Sequence, residues 1–243
     1  AVRRKRKRLM RVYQVAASVV VILGVAIAFL LKEEATVVPV AKVEEITPGR
    51  SIAKLTVASG DVYHLDSLNQ VDLVTSLAEN NGKEVVFTDR QLEESVGEIR
   101  YNKVEIPRGG EYQIVLGDGT RVYLNAQTEL RFPESFANSE QRLVYLSGEA
   151  YFEVAPNSKH PFIVVTEEGM EVKVYGTEFN MNTYQHGGVQ TVLVSGKVGI
   201  RVNATGKEVM LAPRQMAEYS EKTGMVRVED TDPYRYIAWK DGE

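Results

Sequence analysis

Short runs of alternating apolar and polar residues, separated by glycine-centred turns, fill the chain from about residue 46 onwards. In residues 112–116 the apolar side chains recur at every second position, the turn 117–120 follows, and a second alternating run occupies 122–124. Period-two alternation is typical of strands with one buried face, and such turns connect adjacent strands. Comparable runs lie at 53–57, 63–65, 143–146, 150–154, 162–165, 172–174, 192–194, 198–202, 209–211 and 225–228. We therefore predict an all-β domain of antiparallel hairpins, arranged as a sandwich or in a solenoid-like stack.

The N-terminal region has a different pattern, a continuous apolar run without any charge. It extends for 20 residues from Val12 to Leu31. At about 1.5 Å rise per residue, a helix of this length spans roughly 30 Å, the thickness of a bilayer core. A cleaved signal peptide is the competing interpretation, but the run is long and no clear A-x-A-like site precedes Lys32. The pattern favours one transmembrane α-helix ahead of the β domain.

Charge predicts how this helix is oriented. Seven cations and no acidic residue precede it, namely Arg3, Arg4, Lys5, Arg6, Lys7, Arg8 and Arg11. Cationic flanks stay on the cytoplasmic side, so the domain beyond the helix should be exported. Residues 32–243 hold 22 lysines and arginines against 33 acidic residues, a formal net charge of −11. A basic cluster beside a membrane helix is explained by topology and anionic lipid, so we do not expect nucleic-acid binding.

Five segments follow from these patterns. We predict a cytoplasmic basic segment at 1–11, the transmembrane helix at 12–31, a linker at 32–45, the exported β-rich domain at 46–230, and the start of a truncated C-terminal module at 231–243. The linker has no helical period and contains a proline. The last segment is rich in aromatic residues, as at the opening of a further element.

The sequence contains little that indicates enzymatic chemistry. There are no cysteines, and His64, His160 and His186 are far apart and outside any metal-binding spacing, so we expect no metal and no cofactor. No nucleotide-binding loop or hydrolase signature is present. Glu149 and Glu153 alternate with apolar residues on one predicted strand, which favours a solvated strand face over a catalytic carboxylate pair.

One dipeptide, Gly176–Thr177, leaves two interpretations open. It interrupts the alternation between two predicted strands, so Gly176 should mark a bend or bulge. A threonine hydroxyl that follows a strained glycine can also attack the preceding carbonyl and break the chain. From the residues alone, conformational freedom for the bend is the simpler explanation.

Five ordered motifs give the sequence a family resemblance. They are Ile106–Tyr112, LGDGTRVYLNAQTELRFPESF at 116–136, LSGEAYFEVA at 146–155, PFIV at 161–164 and YGTEFNMNTY at 175–184. Together they resemble the periplasmic domain of the FecR family, membrane-spanning anti-sigma factors of the Bacteroidetes type, over roughly residues 46–225. The sequence departs from the family at Pro213–Arg214, where Pro-Gly is usual.

The resemblance implies a function in signal relay. It implies an inner-membrane protein with a cytoplasmic N-terminus and a periplasmic C-terminal domain, which couples a TonB-dependent outer-membrane transporter to an extracytoplasmic-function sigma factor. The signalling domain of the transporter is the implied periplasmic partner, and a missing N-terminal domain would hold the sigma factor. Some members break their own chain at a Gly-Thr within this motif, which makes Gly176 and Thr177 candidates for single-turnover self-cleavage without enzymatic turnover.

A second function remains open at this point. A membrane-tethered periplasmic β-module of this kind can bind a glycan or another envelope ligand. Tyr123, Tyr145, Tyr151 and Tyr184 are the candidates for a stacking surface, although tyrosines at strand spacing more often lie in the core or in cross-strand pairs.

Overall fold

The computed structural model describes residues 19, 21–23, 26–27, 49–66, 78–80, 84–88, 99–137, 139–184 and 188–242. The chain divides into two compact units, Ala1–Ile46 and Thr47–Glu243. In the first unit the described residues are helical. No helix among the described residues is both long and apolar enough to span a membrane.

Several sequence-based predictions fall outside the described residues. The seven N-terminal cations and the linker 32–45 lie entirely outside them, and the predicted span Val12–Leu31 is described only at 19, 21–23 and 26–27. The boundaries predicted for these segments remain predictions.

In the second unit the described residues form 18 strands. Their bounds are β1 (Arg50–Thr56), β2 (Val62–Asp66), β3 (Ala78–Asn80), β4 (Glu84–Phe87), β5 (Tyr101–Glu105), β6 (Gly110–Val115), β7 (Arg121–Leu124), β8 (Glu129–Pro133), β9 (Arg142–Ser147), β10 (Glu149–Glu153), β11 (Phe162–Thr166), β12 (Met170–Val174), β13 (Glu178–Asn182), β14 (Gly188–Ser195), β15 (Val198–Val202), β16 (Lys207–Leu211), β17 (Gln215–Ser220) and β18 (Met225–Asp230). The prediction of a mostly β domain is confirmed.

The strands form two hydrogen-bonded layers. Sheet 1 has the order β2–β1–β5–β8–β9–β11–β12–β15–β16. Sheet 2 has the order β3–β4–β6–β7–β10–β13–β14–β17–β18. Successive hairpins alternate between the two layers, and β1 joins them because its first two residues pair in parallel with β6.

The predicted hairpins are antiparallel, but the sheets as a whole are mixed, with three parallel pairs among the described strands. β4–β6, β9–β11 and β1–β6 are parallel. The pairs β4–β6 and β9–β11 follow from the alternation between layers. Between the two strands of each pair, the chain makes a single strand in the opposite sheet, β5 or β10. The chain therefore reverses direction twice before it returns. A strand that returns after two reversals runs parallel to the strand it left.

One hydrophobic core fills the space between the sheets. Phe87 of sheet 2 meets Phe132 of sheet 1 edge to face at 4.9 Å between ring centroids. Phe152 contacts Phe162 across the layers at 6.0 Å and stacks on Phe179 within its own sheet at 5.0 Å. These contacts identify the arrangement as a sandwich, in which the period-two alternation places every second side chain in the core.

The turn before β17 accounts for the departure from the family pattern. Arg214 adopts a left-handed backbone with φ 67°. Glycine reaches this conformation without the steric cost that a Cβ atom imposes, which explains the usual Pro-Gly. Hydrogen bonds hold the strained arginine on both sides, from its own N–H to the carbonyl of Leu193 at 3.0 Å and from the N–H of Thr231 to its carbonyl at 2.8 Å.

The C-terminal residues pack against the same sandwich. A short α-helix (Tyr234–Ile237) and a 3₁₀ turn (Ala238–Asp241) follow β18. The Lys240 ammonium lies 5.6 Å and 5.3 Å from the ring centroids of Tyr123 and Tyr151 on the outer face of sheet 2. This segment therefore covers part of that face.

Candidate functional site

Gly176 and Thr177 lie in the connection between β12 and β13. Gly176 has φ 144°, which L side chains rarely adopt. A Cβ atom there would lie 2.9 Å from the Cα of Pro156, closer than real Cβ contacts. The position therefore requires glycine, both for its backbone angle and for its close contact with the neighbouring loop. The sequence-based expectation of a bend at Gly176 agrees with this geometry.

Thr177 is enclosed, with 4% of its surface exposed. Its hydroxyl donates to the Lys197 carbonyl at 3.0 Å, and its own carbonyl accepts from the Val154 N–H at 3.0 Å. The turn between β14 and β15 presses against it, since a Cβ atom on Gly196 would approach the Thr177 Oγ to 2.8 Å. In the described part of the chain no carboxylate or imidazole hydrogen-bonds this hydroxyl. Thr177 thus links its own connection to the β14–β15 turn and to the segment after β10. Its hydroxyl proton is donated to a backbone carbonyl.

A cleft of about 310 Å³ opens beside the dipeptide. Gly176 and Thr177 line it together with Arg121, Glu153 and Glu178. Two of these side chains, Arg121 and Glu153, carry opposite charges 3.9 Å apart, and both are partly exposed. The cleft has room for water molecules beside these two residues.

A buried ion pair contacts the loop that contains Pro156, the loop that packs on Gly176. The Arg142 guanidinium and the Asp118 carboxylate are 3% and 10% exposed, and Arg142 Nη1 lies 2.6 Å from Asp118 Oδ2. Thr120 donates to the same carboxylate from its N–H at 3.0 Å and from its hydroxyl at 2.8 Å. These bonds give the Asp-Gly-Thr motif of the β6–β7 turn a structural explanation.

Arg142 also holds the loop that packs on Gly176. It donates to the carbonyls of His160 and Ala155, both at 2.9 Å, and its guanidinium lies 5.5 Å from the Phe162 ring centroid. The hydroxyl of Thr120 accepts from the Ala155 N–H at 3.1 Å. The loop before β11 is therefore fixed to the β6–β7 turn. Sequence reasoning missed the role of Arg142, because it lies outside the five motifs and nothing in the residues beside it indicates a buried position.

The expectation that Glu149 lies on a solvated face is wrong. Glu149 is 9% exposed and accepts from the side-chain amides of Asn125 at 2.8 Å and Asn180 at 2.9 Å. β10 lies between β7 and β13, so Asn125, directly after β7, and Asn180 of β13 reach the carboxylate from its two sides. Glu153 is about one-third exposed, as predicted. Among the described residues Glu149 has two amide donors and no ion-pair partner, so we interpret it as a structural anchor for its motif.

The two described histidines, His64 and His160, lie in different elements. His64 lies in β2, while His186 is outside the described residues. The Nδ1 atom of His160 lies 2.9 Å from the Ser139 carbonyl, within the loop that precedes Pro161. Among the residues that the structure describes, no group of three histidine or carboxylate side chains is arranged to hold a metal ion.

The four tyrosines proposed as a stacking surface are on different faces. Tyr123 and Tyr151 lie 5.9 Å apart on sheet 2 beneath Lys240, and burial raises the pKa of both phenols. Tyr145 contacts Arg131 on sheet 1, at 4.4 Å from the guanidinium to its ring centroid. Tyr184 donates to the Ala126 carbonyl, and burial raises its pKa as well. The tyrosines do not form one surface for a sugar ring.

Comparison with known proteins adds independent evidence. The FecR protein family matches residues 102–199. Two crystal structures of candidate anti-sigma factors from Parabacteroides distasonis ATCC 8503 are similar to the chain, one at 32% sequence identity with a TM-score of 0.55 and the other at 33% with a TM-score of 0.54. No curated protein matches the chain significantly.

The family match covers the part of the chain that holds the site. Each structural match covers 58% of this chain, and the chain spans 65% of the length of each of those proteins. The matched family region contains the buried Asp118–Arg142 pair, the Glu149 anchor and the Gly176–Thr177 connection. The motifs, the hairpin sandwich and the comparisons together show that residues 102–199 of this chain form a FecR domain.

Proposed function

We propose that this chain is the membrane-tethered, exported part of an anti-sigma factor that relays a signal inward across the inner membrane. The observation that carries the proposal is the FecR domain, together with its likeness to two candidate anti-sigma factors at 32% and 33% identity. In this proposal an outer-membrane TonB-dependent transporter contacts the periplasmic domain through its signalling domain. A cytoplasmic domain of the natural protein holds an extracytoplasmic-function sigma factor.

The described geometry supports binding rather than turnover. The motif residues of the domain are engaged in buried hydrogen bonds that hold its turns, as at Asp118, Arg142 and Glu149. A domain held in this way presents fixed surfaces and open sheet edges to a partner. The signal would therefore pass through protein contacts.

The first prediction concerns topology. We expect a reporter that is active only in the periplasm to be active when fused after Gly224, because seven cations and no acidic residue precede the apolar run. A reporter active only in the cytoplasm should be silent at the same position. Enzyme activity and immunoblots of matched fusions measure both. The opposite pattern would remove the basis for a periplasmic relay.

The second prediction concerns the partners. We expect the natural full-length protein to retain the signalling domain of the transporter encoded beside it, and to retain the neighbouring sigma factor through its cytoplasmic part. Co-purification from membranes, with an unrelated transporter signalling domain as the control, measures the first contact. Deleting the gene should change transcription from promoters that the sigma factor reads. If neither protein is retained and transcription is unchanged, the chain is not an anti-sigma factor of this system.

A single self-cleavage at Gly176–Thr177 is also part of the proposal. The Thr177 Oγ would attack the Gly176 carbonyl carbon, the amide C–N bond would break as the hydroxyl proton moves to the nitrogen, and water would hydrolyse the resulting ester. Two observations support it: the positive φ of Gly176 and the cleft of about 310 Å³ that both residues line. The hydrogen bond from Thr177 to the Lys197 carbonyl must first break.

A further inference from the structure

One row of side chains on the outer face of sheet 2 is buried, although it lies outside the core between the two sheets. Cross-strand pairing sets its five members next to one another on β7, β10, β13, β14 and β17 in turn. None of them belongs to the core cluster, yet the last four are between 1% and 4% exposed. We call this set the covered row; it comprises Tyr123, Tyr151, Asn180, Val192 and Met216.

The C-terminal segment passes over the covered row. We call residues 231–242 the C-terminal strap. At the β17 end of the row, the N–H of Thr231 donates to the carbonyl of Arg214 at 2.8 Å. At the other end, the Lys240 ammonium lies 5.3 Å and 5.6 Å from the ring centroids of the two tyrosines. The strap therefore crosses sheet 2 from β17 to β7 and explains why an outward-facing row is buried.

The strap is joined to the sandwich by few strong contacts. Neither its α-helix nor its 3₁₀ turn contains a buried residue. In the part of the chain that the structure describes, no backbone hydrogen bond connects residues 232–242 to a strand. Few buried contacts and few hydrogen bonds to the rest of the fold are typical of segments that open locally.

Docking of the strap also leaves polar atoms without partners. The Nε1 atom of Trp239 in the strap and the Oδ1 atom of Asn180 in the covered row are both buried, and neither has a hydrogen-bond partner among the described residues. Water would satisfy both atoms if the strap moved away, so their burial opposes docking. The apolar contacts of the row favour docking, and the two effects offset one another.

We propose that the C-terminal strap undocks as a unit while both sheets stay folded, and that its undocking uncovers the row. The sheets do not need the strap, because the row faces away from the core that holds them together. The row also borders the candidate site, since the Tyr151 hydroxyl donates to Glu178 Oε2 at 3.3 Å and Glu178 lines the cleft beside Thr177. The proposal does not depend on a transporter, a sigma factor or self-cleavage.

Trp239 reports the strap directly, because it is the single tryptophan of the chain. The test follows urea unfolding of the full chain in detergent micelles by tryptophan fluorescence and by circular dichroism of the sheets. We expect the emission maximum to shift to longer wavelength with a midpoint at least about 1 M below that of the circular dichroism, because local opening requires less free energy than global unfolding. Coincident midpoints would show that strap and sandwich unfold together and would overturn the proposal.

Two variants test the contact between the strap and the row. Lys240→Glu places a carboxylate over the negative faces of the two tyrosine rings, and Val192→Thr keeps the β-branched shape but buries a hydroxyl beneath the strap. Each should lower the fluorescence midpoint, Lys240→Glu by about 1 M, because the small surface exposed by undocking gives a shallow dependence on urea. The circular dichroism midpoint should not change, since the strap has already left when the sheets unfold.

A charge control completes the test. Lys222→Glu, in the exposed β17–β18 turn, changes the net charge by the same amount as Lys240→Glu and should move neither midpoint. If both variants at the contact leave the fluorescence midpoint unchanged, or if they lower the two midpoints equally, the strap is not an independent unit docked on this row. An equal decrease in Lys222→Glu would assign the effect of Lys240→Glu to net charge and contradict the contact with the tyrosines.

Discussion

Replacing Asp118 with alanine is expected to lower the free energy of unfolding by about 3–5 kcal/mol, because removing one partner of a buried ion pair leaves the other charge without compensation. The Arg142 guanidinium is only 3% exposed and would lose the carboxylate 2.6 Å away. Thr120 would lose the acceptor of both its N–H and its hydroxyl. Urea unfolding followed by circular dichroism measures the change.

A double-mutant cycle and a surface control separate the ion pair from general damage. Asp118→Ala combined with Arg142→Met removes both charges, so the pair should lose at least about 1 kcal/mol less than the sum of the single variants. Glu129→Ala removes a carboxylate that lies 3.4 Å from Lys103 on the surface, and should cost less than about 1 kcal/mol. If Asp118→Ala costs no more than Glu129→Ala, the buried pair does not hold the turn.

The second large effect is expected at Thr177. If the proposed self-cleavage occurs, the folded wild-type chain should separate under denaturing conditions into residues 1–176 and 177–243, because a break inside the packed sandwich leaves the fragments associated until unfolding. Thr177→Val keeps the shape of the side chain without a nucleophile, so it should remain entirely whole. Thr177→Ser and Thr177→Cys keep a nucleophile and should still break. Mass spectrometry and N-terminal sequencing of the smaller fragment identify the bond.

The same variants reveal a purely structural role. The Thr177 hydroxyl donates to the Lys197 carbonyl, so Thr177→Val should also lower the free energy of unfolding by about 1 kcal/mol, the usual worth of one such bond. Stability and cleavage are then measured independently on one set of proteins. An intact wild-type mass after prolonged incubation, with reduced stability in Thr177→Val, would assign the dipeptide to packing alone.

The sequence determined the local architecture of this protein. Period-two alternation around Phe152 and Ile114 predicted strands with one buried face, and both residues lie in the core. The glycine turns predicted hairpins, and the motifs predicted the FecR domain that the comparisons show. The break in alternation at Gly176 likewise predicted a bend. These features depend on residues close together in the chain, so a linear pattern reports them directly.

Tertiary structure decided which distant residues meet. Asp118 and Arg142 are 24 residues apart and pair only because the β6–β7 turn and the start of β9 converge. Glu149 is buried because β7 and β13 bring Asn125 and Asn180 to its two sides.

The direction of β11 and the pairing of Gly199 with Met210 have the same origin. Alternation assigns a residue to one face of its strand, but it does not specify the direction of the strand or the strand beside it. The period of two is the same for parallel and antiparallel strands and for any neighbour. The parallel β9–β11 pair and the register that sets Gly199 beside Met210 arise from the order in which the hairpins pack between the two sheets.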